Sequence, residues 1–366
     1  MNMNWKKVLK WSVAVLAVLV LAAILAGILY GRHLLNLVGD PEQTVETLSP
    51  EEEMALHGTT EAVETTIPET TLPPETEPAW TEENKITNIM LVGQNWREDE
   101  QNKLSDTMIL CSINRETKTM TMVSFLRDLY VPLPAYAGHG QGRNRINVCY
   151  ALGSSWKRNS LGGMEMLALC VEQNFGIHVD YTIEVGFESF ARIVDAFGGV
   201  EVDVTEAEAA YLTNEVGYVD VIEPGLQTLD GWETLGYARI RKIDGDRQRA
   251  ARQRAVITQL VDKCRNMDLQ SVFGMVEYLL PHIVTDMTSE EIVKCIFDFL
   301  PLVKDLKLES LTCPVDNETL PNSMWGKVID LYGYQSSVIE CNISLNGAYL
   351  REQLGITPVE TDKSPD

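Results

Sequence analysis

The chain has no Cys-x-x-Cys pair and no Cys/His cluster at metal-ligand spacing, which argues against a zinc site. Positive charge is scarce: 30 Lys and Arg stand against 53 Asp and Glu, a formal net charge of -23. So acidic a chain repels a phosphate backbone as a whole, which excludes non-specific nucleic-acid binding. Neither a DNA-binding motif nor an internal repeat is present. The seven cysteines are odd in number, so at least one thiol is unpaired within the chain. Cys111, Cys149, Cys170, Cys264 and Cys295 sit in apolar runs and read as core residues. A Cys313–Cys341 disulfide is left open, because spacing does not settle connectivity. Hydrophobic residues make up 45% of the 366 positions, enough for a sizeable core. The length fits one large domain or two small ones, at roughly 100–200 residues each.

Residues 11–30, WSVAVLAVLVLAAILAGILY, form one apolar run. About 20 helical residues span a hydrocarbon core of about 30 Å. Lys6, Lys7 and Lys10 precede the run and acidic chain follows it. The positive-inside rule makes residues 1–10 a cytoplasmic tail and places everything after the span outside. The run outlasts the apolar stretch of a cleaved signal peptide, so a retained single-pass anchor is expected. Residues 31–84 are acidic and rich in Thr, Pro and Glu, and they bury too little to offset ordering entropy. They predict an extended, disordered stalk.

The folded part starts near Lys85. Apolar runs at 87–93, 107–113 and 119–125 predict strands, the last two joined by a hairpin turn at 114–118. Further strands are expected at 181–187 and 200–204. Helices are expected at 161–175, 187–197, 247–264 and 289–305, the last opened by Thr288 and Glu291 in capping-box register. Strands alternating with helices predict an α/β domain: a mixed central sheet flanked by helices, with one transmembrane helix and the stalk before it. Residues 85–265 carry the chemistry, 266–355 complete the globular part without chemistry of their own, and 356–366 read as a disordered tail.

One segment, residues 237–254 (YARIRKIDGDRQRAARQR), concentrates arginine against the acidic background. Read as a strand, 237–241 puts Arg239 and Arg241 on one face. Gly245-Asp246 then breaks the chain, with Asp246 as the expected N-cap. In the helix that follows, Arg249, Gln253, Val256, Leu260 and Cys264 form one stripe, with Arg252 beside it. The lower stripe is apolar and faces a core, so its polar upper end is aimed inward as well. A helix start already favours an anion, and guanidinium forks suit phosphate. Two converging arginine pairs suggest a diphosphate.

A second group lies upstream. In a β-hairpin Ser105-Asp106-Thr107 and Ser124–Asp128 come close together. Asp106 with Asn95 offers oxygen ligands to Mg²⁺, which takes few protein ligands and pairs with phosphates, and Arg127 reaches the same phosphate. Arg143-Asn144-Arg145 adds basic and amide groups in a loop.

The pieces NIMLVGQNWR (88–97), SDTMIL (105–110), SFLRDLYVPLP (124–134), NRINVCYALG (144–153), DYTIEVGFESFARIVDAFGGVEVDV (180–204), LDGWETLGYARIR (229–241) and GDRQRAARQR (245–254) occur in this order. Together they resemble the LytR-CpsA-Psr family of bacterial cell-wall enzymes. The resemblance implies an extracytoplasmic domain on a single-pass membrane protein of a Gram-positive bacterium. It implies a hydrophobic tunnel for a polyprenyl chain, arginines on its pyrophosphate, and Mg²⁺ or Mn²⁺. The implied activity is phosphotransfer of a polyprenyl-pyrophosphate-linked glycopolymer, of teichoic acid or capsule type, onto peptidoglycan. Catalytic residues are then Asp106, Arg127, Arg239 and Arg241. Pyrophosphate or lipid binding falls to Arg127, Arg145, Arg239, Arg241, Arg249, Arg252 and Gln253, and the metal to Asp106 and Asn95. Asn95 stands where the family commonly has a carboxylate. The alternatives are a non-catalytic polyprenyl-phosphate scaffold, an envelope regulator, and a polyprenyl-pyrophosphate phosphatase.

Overall fold

The computed structural model describes residues 85–94, 104–135, 142–157, 159–217, 220–331 and 334–356. The tail, anchor and stalk expected before Lys85, the expected C-terminal tail beyond Ile356, and Asn95 lie outside them. Among the described residues no helix is long and apolar enough to cross a membrane.

Three apolar runs near the start of the folded part become β1 (Ile86–Gln94), β2 (Ser105–Asn114) and β3 (Thr119–Phe125). They are neighbours in a six-stranded sheet. Both of its faces are covered, which is why apolar residues stand on both faces of these strands. Met90, Val92, Met108, Leu110, Val123 and Phe125 face one layer. That layer holds α1 (Val148–Lys157), α2 (Ser160–Phe175) and α9 (Ile343–Leu354). The alternate residues Ile109, Cys111, Ile113, Met120 and Met122 form the opposite face. Ile257 and Val261 of α6 (Asp246–Cys264) and Phe299 of α8 (Ser289–Val303) pack there.

Between the layers' helices the chain builds β4 (Tyr130–Pro132), β5 (Arg143–Arg145), β6 (Tyr181–Val185), α3 (Phe187–Ala196), β7 (Val200–Val204), α4 (Glu206–Glu215), β8 (Gly225–Leu229) and α5 (Gly231–Arg239). After α6 come α7 (Leu269–Leu279), β9 (Ile283–Thr285) and β10 (Lys307–Cys313), then β11 (Met324–Leu331) and β12 (Tyr334–Cys341). The sheet order is β10-β3-β2-β1-β6-β9. β6 runs parallel to β1 and β10 parallel to β3, while the β1–β2, β2–β3 and β6–β9 pairs are antiparallel. The sheet is therefore mixed and flanked by helices. Residues 266–355, without chemistry of their own in sequence, supply the strands at both sheet edges.

A second apolar cluster joins Val194, Val200, Val202, Val204, Leu212, Leu229, Ile240 and Val256. It ties the β7–β8 ribbon to α6 and so fixes the loop between α5 and α6. The thiols of all seven cysteines are free. Cys111, Cys149 and Cys170 are buried as expected, whereas Cys264 and Cys295 are only partly so. Cys313 and Cys341 are buried thiols in the core and are not joined in a disulfide.

Candidate functional site

Residues 237–241 are not a strand. Asp230 and Glu233 close a capping box that starts α5, and the helix runs through Arg239. Ala238 is buried, and so are Thr234 and Leu235 one turn earlier, at the spacing of a helix face. Arg239 ends the helix and stacks on the Phe187 ring at 4.3 Å. Arg241 lies two residues on, in the loop before α6. Gly245, not Asp246, is the N-cap residue of α6; its φ of 88 is one that glycine adopts without strain. Asp246 occupies the first turn, where a negative charge suits the helix dipole.

Four arginines and three aspartates converge here. Arg127 and Asp128 follow β3, in a turn pinned by the buried Leu126 and Leu129. Pairing of Tyr130 with Arg145 across β4 and β5 carries Arg145 back to Asp128. Asp128 is the hub: Arg241 Nη2 lies 2.7 Å from its Oδ2, while Arg145 Nη1 at 3.5 Å and Arg127 Nε at 3.6 Å approach Oδ1. Arg127 Nη1 also donates to Asp106 Oδ1 at 3.0 Å. Arg249 Nη2 sits 2.6 Å from Asp246 Oδ1 and donates to the Asp106 carbonyl at 3.2 Å. Gln253, one turn further along α6, donates to Thr107 Oγ1 at 2.9 Å. Adding a Cβ at Gly93 of β1 would bring it within 2.7 Å of Thr107 Cβ, so glycine there lets β1 approach that threonine.

The electrostatics are tight. Burial pushes the Arg127 guanidinium down, but its bond to Asp106 and the fields of Asp128, Asp106 and Asp246 together raise it. Arg249 goes the other way: burial, helped by repulsion from Arg127, outweighs the aspartates and lowers it. Arg127, Arg145 and Arg249 each keep a buried Nε with no hydrogen-bond partner. Buried donors are nearly always satisfied; Arg127 Nε has only its 3.6 Å approach to Asp128, and the Nε groups of Arg145 and Arg249 have no hydrogen-bond partner, so the cluster keeps spare donor capacity.

Arg252, which the sequence placed beside this cluster, is turned to other carboxylates. Its Nε lies 2.7 Å from Glu208 Oε1, and it also pairs with Asp244 and donates to the Ile240 carbonyl at 3.1 Å. Sequence reasoning missed Glu208, which is 44 positions away, and it missed Asp128 and Asp246 as partners of the arginines. An Arg-Asp dipeptide beside an arginine-rich helix start was the available signal. Among the described residues no group of three or more His, Cys, Asp or Glu stands together to hold a metal ion. Mg²⁺ bound through one carboxylate, water and ligand phosphates needs no such group, and Asp106 has an Oδ2 that no described hydrogen bond engages.

The fold is an α/β domain, a mixed sheet covered by helices, with a guanidinium–carboxylate cluster at one end of the sheet. The LytR_cpsA_psr family model matches residues 52–336, and the chain belongs to that family. It is 33% identical over 208 residues to the polyisoprenyl-teichoic acid–peptidoglycan teichoic acid transferase TagU of Bacillus licheniformis, a match covering 56% of this chain and 61% of the relative. The chain thus spans about three fifths of the length of such curated relatives. Among solved structures, protein gbs0355 of Streptococcus agalactiae superposes with a TM-score of 0.61 at 23% identity, over 77% of this chain and 92% of its own. TagT with bound octaprenyl pyrophosphate lipid gives 0.53 at 22%, over 77% and 93%. These likenesses establish the fold.

Proposed function

We propose that the protein is a phosphotransferase that moves a polyprenyl-pyrophosphate-linked glycopolymer, of teichoic acid type or capsule type, onto peptidoglycan. The observation that carries this is the set of unmatched Nε donors on Arg127, Arg145 and Arg249, in a member of a family whose relatives are named as such transferases. Four guanidiniums against three carboxylates leave one positive charge in an otherwise acidic protein. A pyrophosphate supplies the missing counter-charge. The hydrocarbon chain would lie along the sheet face beneath α6 and α8. There Ile89 and Leu91, on the interior strand β1, are only half-buried beside Ile257, Val261 and Phe299.

In the proposed reaction a peptidoglycan hydroxyl oxygen attacks the phosphorus that bears the glycopolymer. The bond from that phosphorus to the bridging oxygen breaks. The electron pair leaves on polyprenyl monophosphate, and the hydroxyl proton passes to a base, the role proposed for Asp106. Such transfers depend on positioning and charge neutralisation more than on covalent help; the arginines supply both. Mg²⁺ or Mn²⁺, if held by Asp106 together with phosphate oxygens, would add Lewis-acid polarisation. The apolar run at 11–30 and the preceding lysines support a single-pass anchor with a cytoplasmic N-terminus and an extracytoplasmic domain.

The test is full-length protein in detergent with a polyprenyl-pyrophosphate-linked glycopolymer, peptidoglycan and Mg²⁺. Covalent attachment, lost in Arg241→Ala, is expected. Binding without turnover would make the protein a scaffold, and release of phosphate without attachment would make it a hydrolase.

A further inference from the structure

Helix α6 carries a second pair of arginines that the clamp does not absorb. Arg247 and Arg254 are seven positions apart, two turns along one helix face. Arg254 is 8% exposed; its Nη1 donates to Ser124 Oγ at 2.6 Å, and its Nε is buried without a hydrogen-bond partner. Arg247 Nη2 donates to the Pro314 carbonyl at 2.7 Å. Among the described residues no carboxylate pairs with either, whereas the equally buried Arg252 has two. Desolvating a cation without a counter-ion is expensive. The charge that acts on Arg254 is a repulsive one: burial first, then the field of Arg247, drives its guanidinium down.

Position in the fold says what would complete it. Ser124, the penultimate residue of β3, lies opposite Ile109 of β2. Ile109 and Met122 belong to the apolar layer under α6. Thr107, the acceptor for Gln253, lies two residues before Ile109 on the same face of β2. Diagonal neighbours of this kind are about 7–8 Å apart. The Arg254 guanidinium therefore sits at the seam between the apolar face and the arginine–aspartate clamp.

We propose that Arg254, seated on Ser124 with Arg247 on the same helix face, binds the lipid-side phosphate of the ligand, the phosphate ester that adjoins the hydrocarbon chain. This rests on the lipid-pyrophosphate function proposed above and adds a division of labour. The clamp of Arg127, Arg145, Arg241 and Arg249 holds the phosphate that is attacked. Arg254 meets the phosphate that leaves, which gains negative charge as the bridging P–O bond breaks and its electron pair moves onto polyprenyl monophosphate.

The experiment uses full-length protein in detergent, the variants Arg254→Met and Arg254→Lys, and two probes, octaprenyl monophosphate and inorganic pyrophosphate. Without ligand, Arg254→Met should unfold at the wild-type temperature or above it, because a buried unpaired cation is gone. Its affinity for octaprenyl monophosphate should fall at least about tenfold, the loss expected for a charged hydrogen bond. Inorganic pyrophosphate, which the four clamp arginines also hold, should lose less affinity than octaprenyl monophosphate does, and Arg254→Lys should recover part of the loss. A lower unfolding temperature with monophosphate affinity unchanged would make Arg254 a structural cation and overturn the proposal. If wild type binds pyrophosphate and Arg254→Met holds the monophosphate as well as wild type does, this assignment alone fails. If wild type binds neither probe, the lipid-pyrophosphate function fails with it.

Discussion

Arg252→Met should unfold this protein, not blunt its site. The Arg252 side chain is 8% exposed and that of its partner Glu208 is 9% exposed. Removing one member of so buried a pair strands the other, which costs about 3–5 kcal/mol. In a domain of this size each kcal/mol moves the unfolding midpoint by about 2–4 °C, so a drop of about 6–20 °C is expected. The check is thermal unfolding of the full-length protein in detergent, alongside Glu208→Gln and the double variant. With Glu208 neutral, much of the penalty should vanish, giving a coupling of about 1–3 kcal/mol across the cycle. Acidity offers a second handle. Burial pushes the Glu208 carboxyl up, yet the Thr205 amide, the Arg252 guanidinium and the Thr205 hydroxyl together hold it below its ordinary value of 4.5. A depressed folded pKa contributes stability that is complete above the unfolded value and disappears as pH falls through the folded one. Wild type should therefore lose this contribution only below about pH 4.5, and Arg252→Met should lack that part of the acid slope. If Arg252→Met kept its midpoint but lost affinity for octaprenyl pyrophosphate, Arg252 would belong to the clamp and the buried-pair account would be wrong.

Three other substitutions separate binding from folding. Arg241→Ala, at a side chain 40% exposed, should change stability by less than about 1 kcal/mol while abolishing transfer and weakening octaprenyl pyrophosphate binding at least about tenfold, read by titration and an attachment assay. Asp128→Asn removes the charge that three arginines share. It should lower the stability of the ligand-free protein by about 1–3 kcal/mol and tighten pyrophosphate binding at low salt with a steeper salt dependence, measured by titration at two ionic strengths. Gly93→Ala places a Cβ against Thr107; a loss of about 1–3 kcal/mol in thermal unfolding is expected from overpacking, together with weaker ligand binding through the displaced Gln253 anchor.

Much of the sheet was legible because strands covered on both faces are rich in apolar residues on both, and residues 87–93, 107–113 and 119–125 are, with a few threonines, serines and one asparagine among them. The turn at 114–118 and the cap at Thr288 rest on local chemistry, and they fall where local chemistry puts them. Residues 237–241 misled because Tyr-Ala-Arg-Ile-Arg alternates as a strand does. The deciding signal was upstream, in Asp230 and Glu233, whose side chains cap the helix that runs through Arg239. The cluster's arginines could be picked out by their density in an acidic chain. Their partners could not. Asp128 becomes a hub only when β4 pairs with β5 and returns Arg145 to it, and Glu208 meets Arg252 only after the β7–β8 ribbon has folded against α6. Long-range pairing, not composition, sorted seven nearby basic residues into clamp, buried strut and seam.

The aspartates in the clamp have a physical reason to be there. Unit charges 4 Å apart repel by about 4 kcal/mol at an effective dielectric near 20, so four bare guanidiniums would drive their own elements apart. Asp106, Asp128 and Asp246 cancel most of that repulsion, and they hold the forks in place before any ligand arrives. Each carboxylate also competes with phosphate for the same N–H groups, so full neutralisation would leave nothing to bind. The arrangement lies between those limits. Terminal nitrogens are committed to carboxylates, while the Nε groups of Arg127, Arg145 and Arg249 make no hydrogen bond, Arg127 Nε having only a long ion-pair contact with Asp128. A ligand with several phosphate oxygens can satisfy the unmatched donors without first breaking every ion pair. For the proposed ligand, affinity would then come from donors already oriented and already desolvated, and the acidic remainder of the protein would discourage anions that lack a hydrocarbon chain to hold them against the sheet.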